Sequence, residues 1–300
     1  MIKLFDRKFE YHALAIFPNF VYWLLPDYYT NWMAPPPGVS SQVWLAVISE
    51  VLGNFLDIRV ASRGLFLSKA LWLCHERNSD NTGDSPTLND LYHFIRNINY
   101  PLMSHMARHK ETIMNRLEGL FAVFGDQICS PRRMDWDKYM STDWAISLDG
   151  IPSDYQNLFI TVEIAKIMMY RMTNNARSKN LKDLIVFDEA SSMFKKWYES
   201  REGTYLLTDY LAKAREFGIG FIIGTQSVSN MADSVLANTA TKILIGGAGL
   251  GADYDTFADA TGLTPEQKEY LKQKTIPGFA CVKDPRYSYP FTIRVAQIVE

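Results

Sequence analysis

The chain has 300 residues, of which 47% are apolar and 21% charged, and a formal net charge of −2. This is ordinary globular chemistry, which argues against global disorder and exerts no overall pull toward nucleic acid; a local basic patch, or a positive channel shared by several subunits, stays open. Three widely separated cysteines, Cys74, Cys129 and Cys281, form no CxxC pair and an odd set, so zinc and disulfide frameworks are disfavoured and a reduced, cytoplasmic compartment fits.

Charges from Lys3 onward distinguish the N-terminal segment from a signal peptide, and the apolar stretch Ala13 to Leu25, broken by Pro18 and Asn19, is too short for a membrane span. The runs Ile2-Lys3-Leu4-Phe5 and Asn19 to Leu25 predict two buried strands, with a short helix over Glu10 to Phe17 between them. Ala34-Pro35-Pro36-Pro37-Gly38 then stops regular structure, and the serines at 40 and 41 cap the helix that follows. From about Ser40 to Arg132 apolar residues recur at three- and four-residue steps, as in Val43, Val47, Ile48, Val51 and again in Ile113, Leu117, Leu120. Asn78 to Ser85 reads as a loop, and Thr87 as the N-cap of a helix beginning at Leu88. The zone predicts a helical subdomain.

Beyond it, strands and helices alternate. Trp144 to Leu148 predicts a strand, Asn157 to Asn175 an apolar helix, Leu184 to Phe187 a buried strand and Tyr205 to Phe217 a helix. Ile219 to Gly224 predicts the next strand, Ser227 to Asn238 a mainly helical segment and Thr241 to Ile245 a further strand. This alternation favours βαβ units, an α/β class and a mainly parallel sheet. Phe279 to Lys283 and Phe291 to Ile298, around Asp284-Pro285-Arg286, predict an antiparallel hairpin at the sheet edge.

The chemistry concentrates at Leu184-Ile185-Val186-Phe187-Asp188-Glu189. Two adjacent carboxylates at the end of a buried strand are costly unless compensated. In a P-loop NTPase this is the Walker B motif: the first acid holds magnesium, usually through water, and the second polarises the attacking water. The plainer alternative is a strand running into a solvated helix start, with Asp188 as N-cap. The next strand ends in Thr225-Gln226, a polar pair placed to sense a γ-phosphate or position water, and Lys213-Ala214-Arg215-Glu216 sets cations near the end of a helix. A phosphate cradle of the form GxxxxGK[ST] is missing, since no Gly-Lys dipeptide occurs anywhere in the sequence. The glycine-rich stretch Gly246-Gly247-Ala248-Gly249-Leu250-Gly251 lacks the lysine and reads as a turn.

Several segments together resemble the HerA–FtsK superfamily, especially its type IV secretion and conjugation ATPases and their HerA-like relatives. They are Phe5-Asp6-Arg7-Lys8-Phe9-Glu10-Tyr11, Pro35-Pro36-Pro37-Gly38-Val39, Pro86-Thr87-Leu88, Asn115 to Leu120, Ser147-Leu148-Asp149-Gly150, the 184–190 segment, Gly224-Thr225-Gln226, Asn238-Thr239 and Asp253 to Phe257. They cover nearly the whole chain in the family's order. The resemblance implies a RecA-like P-loop NTPase core over residues 1–37 and 141–300, a helical insertion over 38–140, a hexameric ring, and ATP-driven movement of DNA or protein. By matching position, Asp188 serves Mg²⁺, Glu189 is the catalytic base, Gln226 the sensor with Thr225 beside the nucleotide, and Arg215 a candidate arginine finger. Phe9 stands where the family places a glycine, so that turn is expected to differ. In the family the P-loop precedes the Asp6–Tyr11 motif, so the chain is expected to be a fragment or an alternative start that binds ATP weakly or not at all alone. The other expectation is a catalytically inactive, P-loop-less subunit of such an assembly. The family also implies a cytoplasmic location, peripheral to an inner membrane within a secretion complex.

Other features have plainer readings. His105 and His109 share a helix face at metal-ligand spacing but lack a third ligand, so packing is preferred. Arg132-Arg133, with Arg108 and Lys110, reads as a solvated face rather than a phosphate contact. Arg116 reads as structural, paired with Glu118 or a neighbouring helix, and the aromatic segment Phe17 to Trp32 as core rather than a base-stacking surface.

Overall fold

A computed structural model describes residues 1–79, 84–132, 134–174, 177–195, 206–246, 251–274 and 277–296. The chain divides into two compact units, Met1–Phe187 with Ala214–Ile222, and Asp188–Lys213 with Ile223–Glu300.

The first unit is built on a five-stranded sheet of β1 (Ile2–Asp6), β2 (Phe20–Leu24), β3 (Asp143–Ser147), β4 (Ser178–Phe187) and β5 (Phe217–Ile223), in the order β2-β3-β1-β4-β5. The pairings of β1 with β3, β1 with β4 and β2 with β3 are parallel. β1 therefore lies at the centre, and its Phe5 is buried against Trp144 and Phe187. The short helix expected between β1 and β2 is a 3-10 turn over His12–Ile16.

The helical zone consists of α1 (Ser41–Phe55), α2 (Val60–Ser79), α3 (Leu88–Asn97), α4 (His105–Phe124) and α5 (Trp136–Ser141). The starts follow the serine and threonine signals: Ser40 caps α1, Ser104 caps α4, and Thr87 closes a capping box with Asp90 on α3. Helix α6 (Ser153–Asn174) is buried without interruption from Gln156 to Met168, as expected for a helix covered on all sides. Phe159 on α6 meets Tyr28, Trp32 and Phe124. Those contacts place Tyr28 and Trp32 in the core, as expected, while Phe17 stays 56% exposed.

Two boundaries depart from the periodicity, for a shared reason. β4 begins at Ser178 rather than Leu184, because its polar half pairs through Ser178 N–H donating to Glu216 O (2.9 Å). The helix expected over 205–217 is α7 (Leu206–Ala214), ending early so that Phe217 can enter β5. Gly218 makes that entry possible: it sits at φ +74, and a Cβ there would lie 2.5 Å from the Asn180 carbonyl oxygen.

The second unit holds a 3-10 turn at Val228–Asn230, α8 (Asp233–Asn238), β6 (Lys242–Ile245), α9 (Gly251–Thr261), α10 (Pro265–Lys274), β7 (Phe279–Lys283) and β8 (Phe291–Arg294). The hairpin of β7 and β8 forms as expected, but not at the edge of the parallel sheet. It joins β6 in a separate antiparallel sheet, order β6-β7-β8, so β6 is not a further parallel strand. Leu244 and Cys281 on one face pack with Phe257 and Leu271. The other face aligns Ile243, Val282 and Phe291 in one row and Ile245, Ala280 and Ile293 in the next. Most of the glycine-rich stretch, 247–250, lies outside the described residues. Among the described residues no helix is long and apolar enough to cross a membrane.

Candidate active site

β4 lies between β1 and β5, and its last residue stacks on both neighbours: Phe187 meets Phe5 at 6.3 Å and Phe221 at 5.8 Å between ring centroids. This ladder of rings fixes where the strand stops. Immediately beyond it the backbone turns sharply, with Glu189 in the left-handed region at φ 54, ψ 46. Such a conformation costs a non-glycine residue about 1–3 kcal/mol and is concentrated at functional sites. A 3-10 turn over Ala190–Ser192 follows, anchored by Ala190 N–H donating to Gly224 O (2.9 Å).

That anchor brings the two predicted polar pairs together. Gln226 Nε2 donates to Glu189 Oε1 at 3.4 Å, and Glu189 N–H donates to Asp188 Oδ1 at 3.0 Å. Both acids are half-buried, whereas Gln226 is exposed. Asp188 does not act as a helix N-cap; the residue in the capping position is Glu189, and its side chain makes no capping bond. The Thr225 hydroxyl accepts from Ser227 N–H (3.1 Å), which ties it into its own turn. Arg215 is exposed, just past α7, in the turn closed by Gly218 N–H donating to Arg215 O at 3.4 Å, and it belongs to the first unit.

Two carboxylates stand out that sequence reasoning placed in motifs without a task. Asp6 is fully buried and accepts from the backbone N–H groups of Lys8, Glu10 and Tyr11 and from the Tyr22 hydroxyl (2.6 Å). Burial, and then the bond to Asp6, push the Tyr22 phenol well above its ordinary value. Within the turn that Asp6 organises, Phe9 adopts φ 61, a backbone region that favours glycine. Asp253, buried, accepts from Ser229 N–H (2.9 Å) and so positions the segment that follows Gln226. A spacing of Asp to N–H groups two, four and five residues on is a turn signal, whereas the Asp253 pairing spans 24 residues and leaves no local trace.

The remaining candidates resolve as structure. His109 Nδ1 lies 2.9 Å from the Ser62 hydroxyl. Glu118 accepts from Tyr92 (2.6 Å) rather than pairing with Arg116. A cavity of about 290 Å³ is lined by Thr30, Asn31, Arg132 and Lys166, but the Lys166 ammonium is held by Glu163 (2.8 Å) and Thr30. Arg133 lies outside the described residues.

The acidic edge suits magnesium as that ion is usually held, by one or two carboxylates with water and substrate phosphates completing the octahedron. Asp188 is the carboxylate that would hold it, and among the described residues no cluster of three or more His, Cys, Asp or Glu forms an all-protein cage. For ATP the fit is to the acidic and polar edge only, since the sequence contains no Gly-Lys dipeptide to grip phosphate.

Neither a protein-family model nor a curated protein matches the sequence. Solved structures do. VirB4 of Thermoanaerobacter pseudethanolicus superposes with a TM-score of 0.67 over 99% of this chain and 82% of its own, at 12% identity. The bacterial conjugative coupling protein TrwB, in its sulphate complex, gives 0.63 over 98% and 78%, at 9% identity. TrwB bound to the non-hydrolysable GTP analogue GDPNP gives 0.58 over 98% and 85%, at 11% identity. The fold is RecA-like. That fold agrees with the resemblance carried by the motifs. In a RecA-like core, the ends of adjacent parallel strands are where ligands bind.

Proposed function

We propose that this chain is the Walker B-bearing part of a motor ATPase that couples ATP hydrolysis to the movement of DNA or protein. The observation that carries this reading is the meeting of Gln226 with Glu189 at 3.4 Å, on a carboxylate held in a strained backbone conformation next to Asp188. In this reading Asp188 holds magnesium through water and Glu189 accepts the proton of the attacking water. Gln226 and Thr225 report on the γ-phosphate, and Arg215 supplies a cation across a subunit boundary in a homo-oligomeric ring of six. Bound magnesium would neutralise phosphate charge. The segment 38–140 serves as an insertion in a core formed by 1–37 and 141–300. No phosphate-gripping GxxxxGK[ST] segment occurs within these 300 residues. The location this calls for is cytoplasmic, at the periphery of an inner membrane within a secretion or conjugation complex. The fold likeness to VirB4 and to a conjugative coupling protein supports a translocation role.

The absence of a Gly-Lys dipeptide favours one second reading, a P-loop-less subunit that supports an assembly without hydrolysing ATP. The two separate by measuring ATP hydrolysis in the protein extended by its in-frame upstream sequence. The motor reading expects turnover that falls at least about 100-fold in Glu189→Gln and clearly in Gln226→Ala. Equal turnover in the parent and Glu189→Gln removes Glu189 as the base; no GxxxxGK[ST] upstream and no turnover leaves the second reading.

A further inference from the structure

The turn joining α3 and α4 displays apolar side chains to an unusual degree. Leu102 is 94% exposed and Met103 91%, with Met106 at 39% on the first turn of α4. Exposure here does not come from a loose segment. Ser104 N–H donates to Pro101 O (2.8 Å) and the Ser104 hydroxyl caps α4 through Ala107 N–H (3.1 Å). The Lys110 ammonium donates to both Arg96 O (2.6 Å) and Ile98 O (2.8 Å), fastening the end of α3 to α4. The tip is a preformed wedge.

The run of sequence that forms it carries cations only. From His93 to Lys110 the sequence HFIRNINYPLMSHMARHK contains Arg96, Arg108 and Lys110 and not one Asp or Glu, in a chain whose net charge is −2. Arg96 and Arg108 are both exposed. Across the contact of Ser62 with His109, the start of α2 adds the 74%-exposed Val60, and exposed Arg59 lies just before it. Glu111 is the first acid met along α4.

We infer that this turn is a membrane-contacting wedge, with Leu102 and Met103 entering the acyl boundary of an anionic bilayer and Arg96 and Arg108 reaching its headgroups. Apolar insertion together with basic flanks is the combination that holds proteins at such an interface. Nucleic acid is a poorer match, because phosphate contacts call for cations alone and base stacking for aromatic faces, whereas the tip is aliphatic. A protein partner is also poorer, since two side chains on a tip fall far short of a standard interface patch. The inference deepens the membrane-peripheral location proposed above and rests on it, but does not depend on ATP hydrolysis.

The test is flotation of the full chain with vesicles of equal parts phosphatidylcholine and phosphatidylglycerol, against phosphatidylcholine alone. Preferential binding to the anionic vesicles is expected. L102D/M103D should lose at least about tenfold in partitioning, and R96E/R108E should bring binding to the level of the neutral vesicles. Should L102D/M103D fail to fold by circular dichroism, L102S/M103S takes its place with the same expected direction. No binding by the parent chain, or equal binding by the folded wedge variant, overturns the inference. So does a variant that keeps vesicle binding but loses duplex DNA binding or self-association, which would reassign the tip to nucleic acid or to a second copy. ATP hydrolysis by the extended protein, measured separately, leaves the motor reading standing or falling on its own.

Discussion

At φ 61, Phe9 occupies backbone space that costs an L-residue about 1–2 kcal/mol. Its ring offsets part of that cost, stacking on His12 at 4.7 Å and meeting Tyr22 edge-on at 5.8 Å. Two substitutions separate the terms. Phe9→Ala keeps the strain and loses the rings, whereas Phe9→Gly loses both together. We therefore expect Phe9→Gly to be more stable than Phe9→Ala by about 1 kcal/mol in urea unfolding, reversing the usual order of alanine and glycine. Glu189 shares this backbone geometry but differs in what surrounds it, because its carboxylate faces an amide donor instead of a ring. Strain at position 9 shapes a turn; strain at position 189 aims an acid.

Among the elements, α3 gives the cleanest case of local code becoming structure. Thr87 Oγ1 accepts from Asp90 N–H (3.1 Å) while Asp90 Oδ2 accepts from Thr87 N–H (2.8 Å), so each residue satisfies an orphan donor of the helix start. Thr87→Ala should cost about 1 kcal/mol and speed amide exchange across the first turn of α3, with Thr87→Ser retaining most of the protection. This device was legible in the sequence because it is complete within four residues. The same holds for the strand ending at Asp188-Glu189, whose apolar run and acids are contiguous, and for the β7–β8 hairpin with its Asp284-Pro285-Arg286 turn. The polar half of β4 was not legible. Asp183 is buried there because Arg171, twelve residues earlier on α6, reaches it with two bonds (2.5 and 3.0 Å). Periodicity records which residues leave water, not which distant partner lets a charged one do so. For the same reason the placement of β6 escaped notice: a lone four-residue strand reads alike in a parallel or an antiparallel sheet until its partner is known.

The molecule as a whole carries a buried cation that couples its stability to pH. Lys3, on the central strand, donates to the carbonyls of Tyr139 (2.8 Å) and Thr142 (2.6 Å) and is fully buried. Burial pulls its ammonium from the ordinary 10.5 down to about 8, with Asp183 and Asp143 opposing and Arg171 reinforcing the shift. Between pH 8 and 10.5 the unfolded chain therefore keeps a proton that the folded chain releases, so the Lys3 contribution to folding stability rises with pH across that window. Burial of Lys166 acts in the same direction. Above pH 10 the sign reverses, since Tyr28 and Tyr139, raised above their ordinary 10.0 by burial and by Glu163, ionise more readily once unfolded. The urea midpoint should climb from pH 8 toward 10 by an amount on the order of 2 kcal/mol from Lys3. The climb should shrink by that amount in Lys3→Met, although that variant is weaker throughout for want of a donor to its two carbonyls.

The outer face of the small antiparallel sheet has a consequence for handling the protein. Ile243 and Ile245 are 57% and 58% exposed, and Phe291 and Ile293 37% and 41%. A net charge of −2 gives 300 residues little mutual repulsion to keep such faces apart. Contact between them is driven by water release, which strengthens on warming from the cold. A concentrated solution should cloud reversibly as it is warmed, well below the unfolding transition, and clear again on ice; Ile243→Lys with Ile245→Glu should abolish the clouding, read as light scattering against temperature. The cold room, not the bench, is where this molecule will be best behaved.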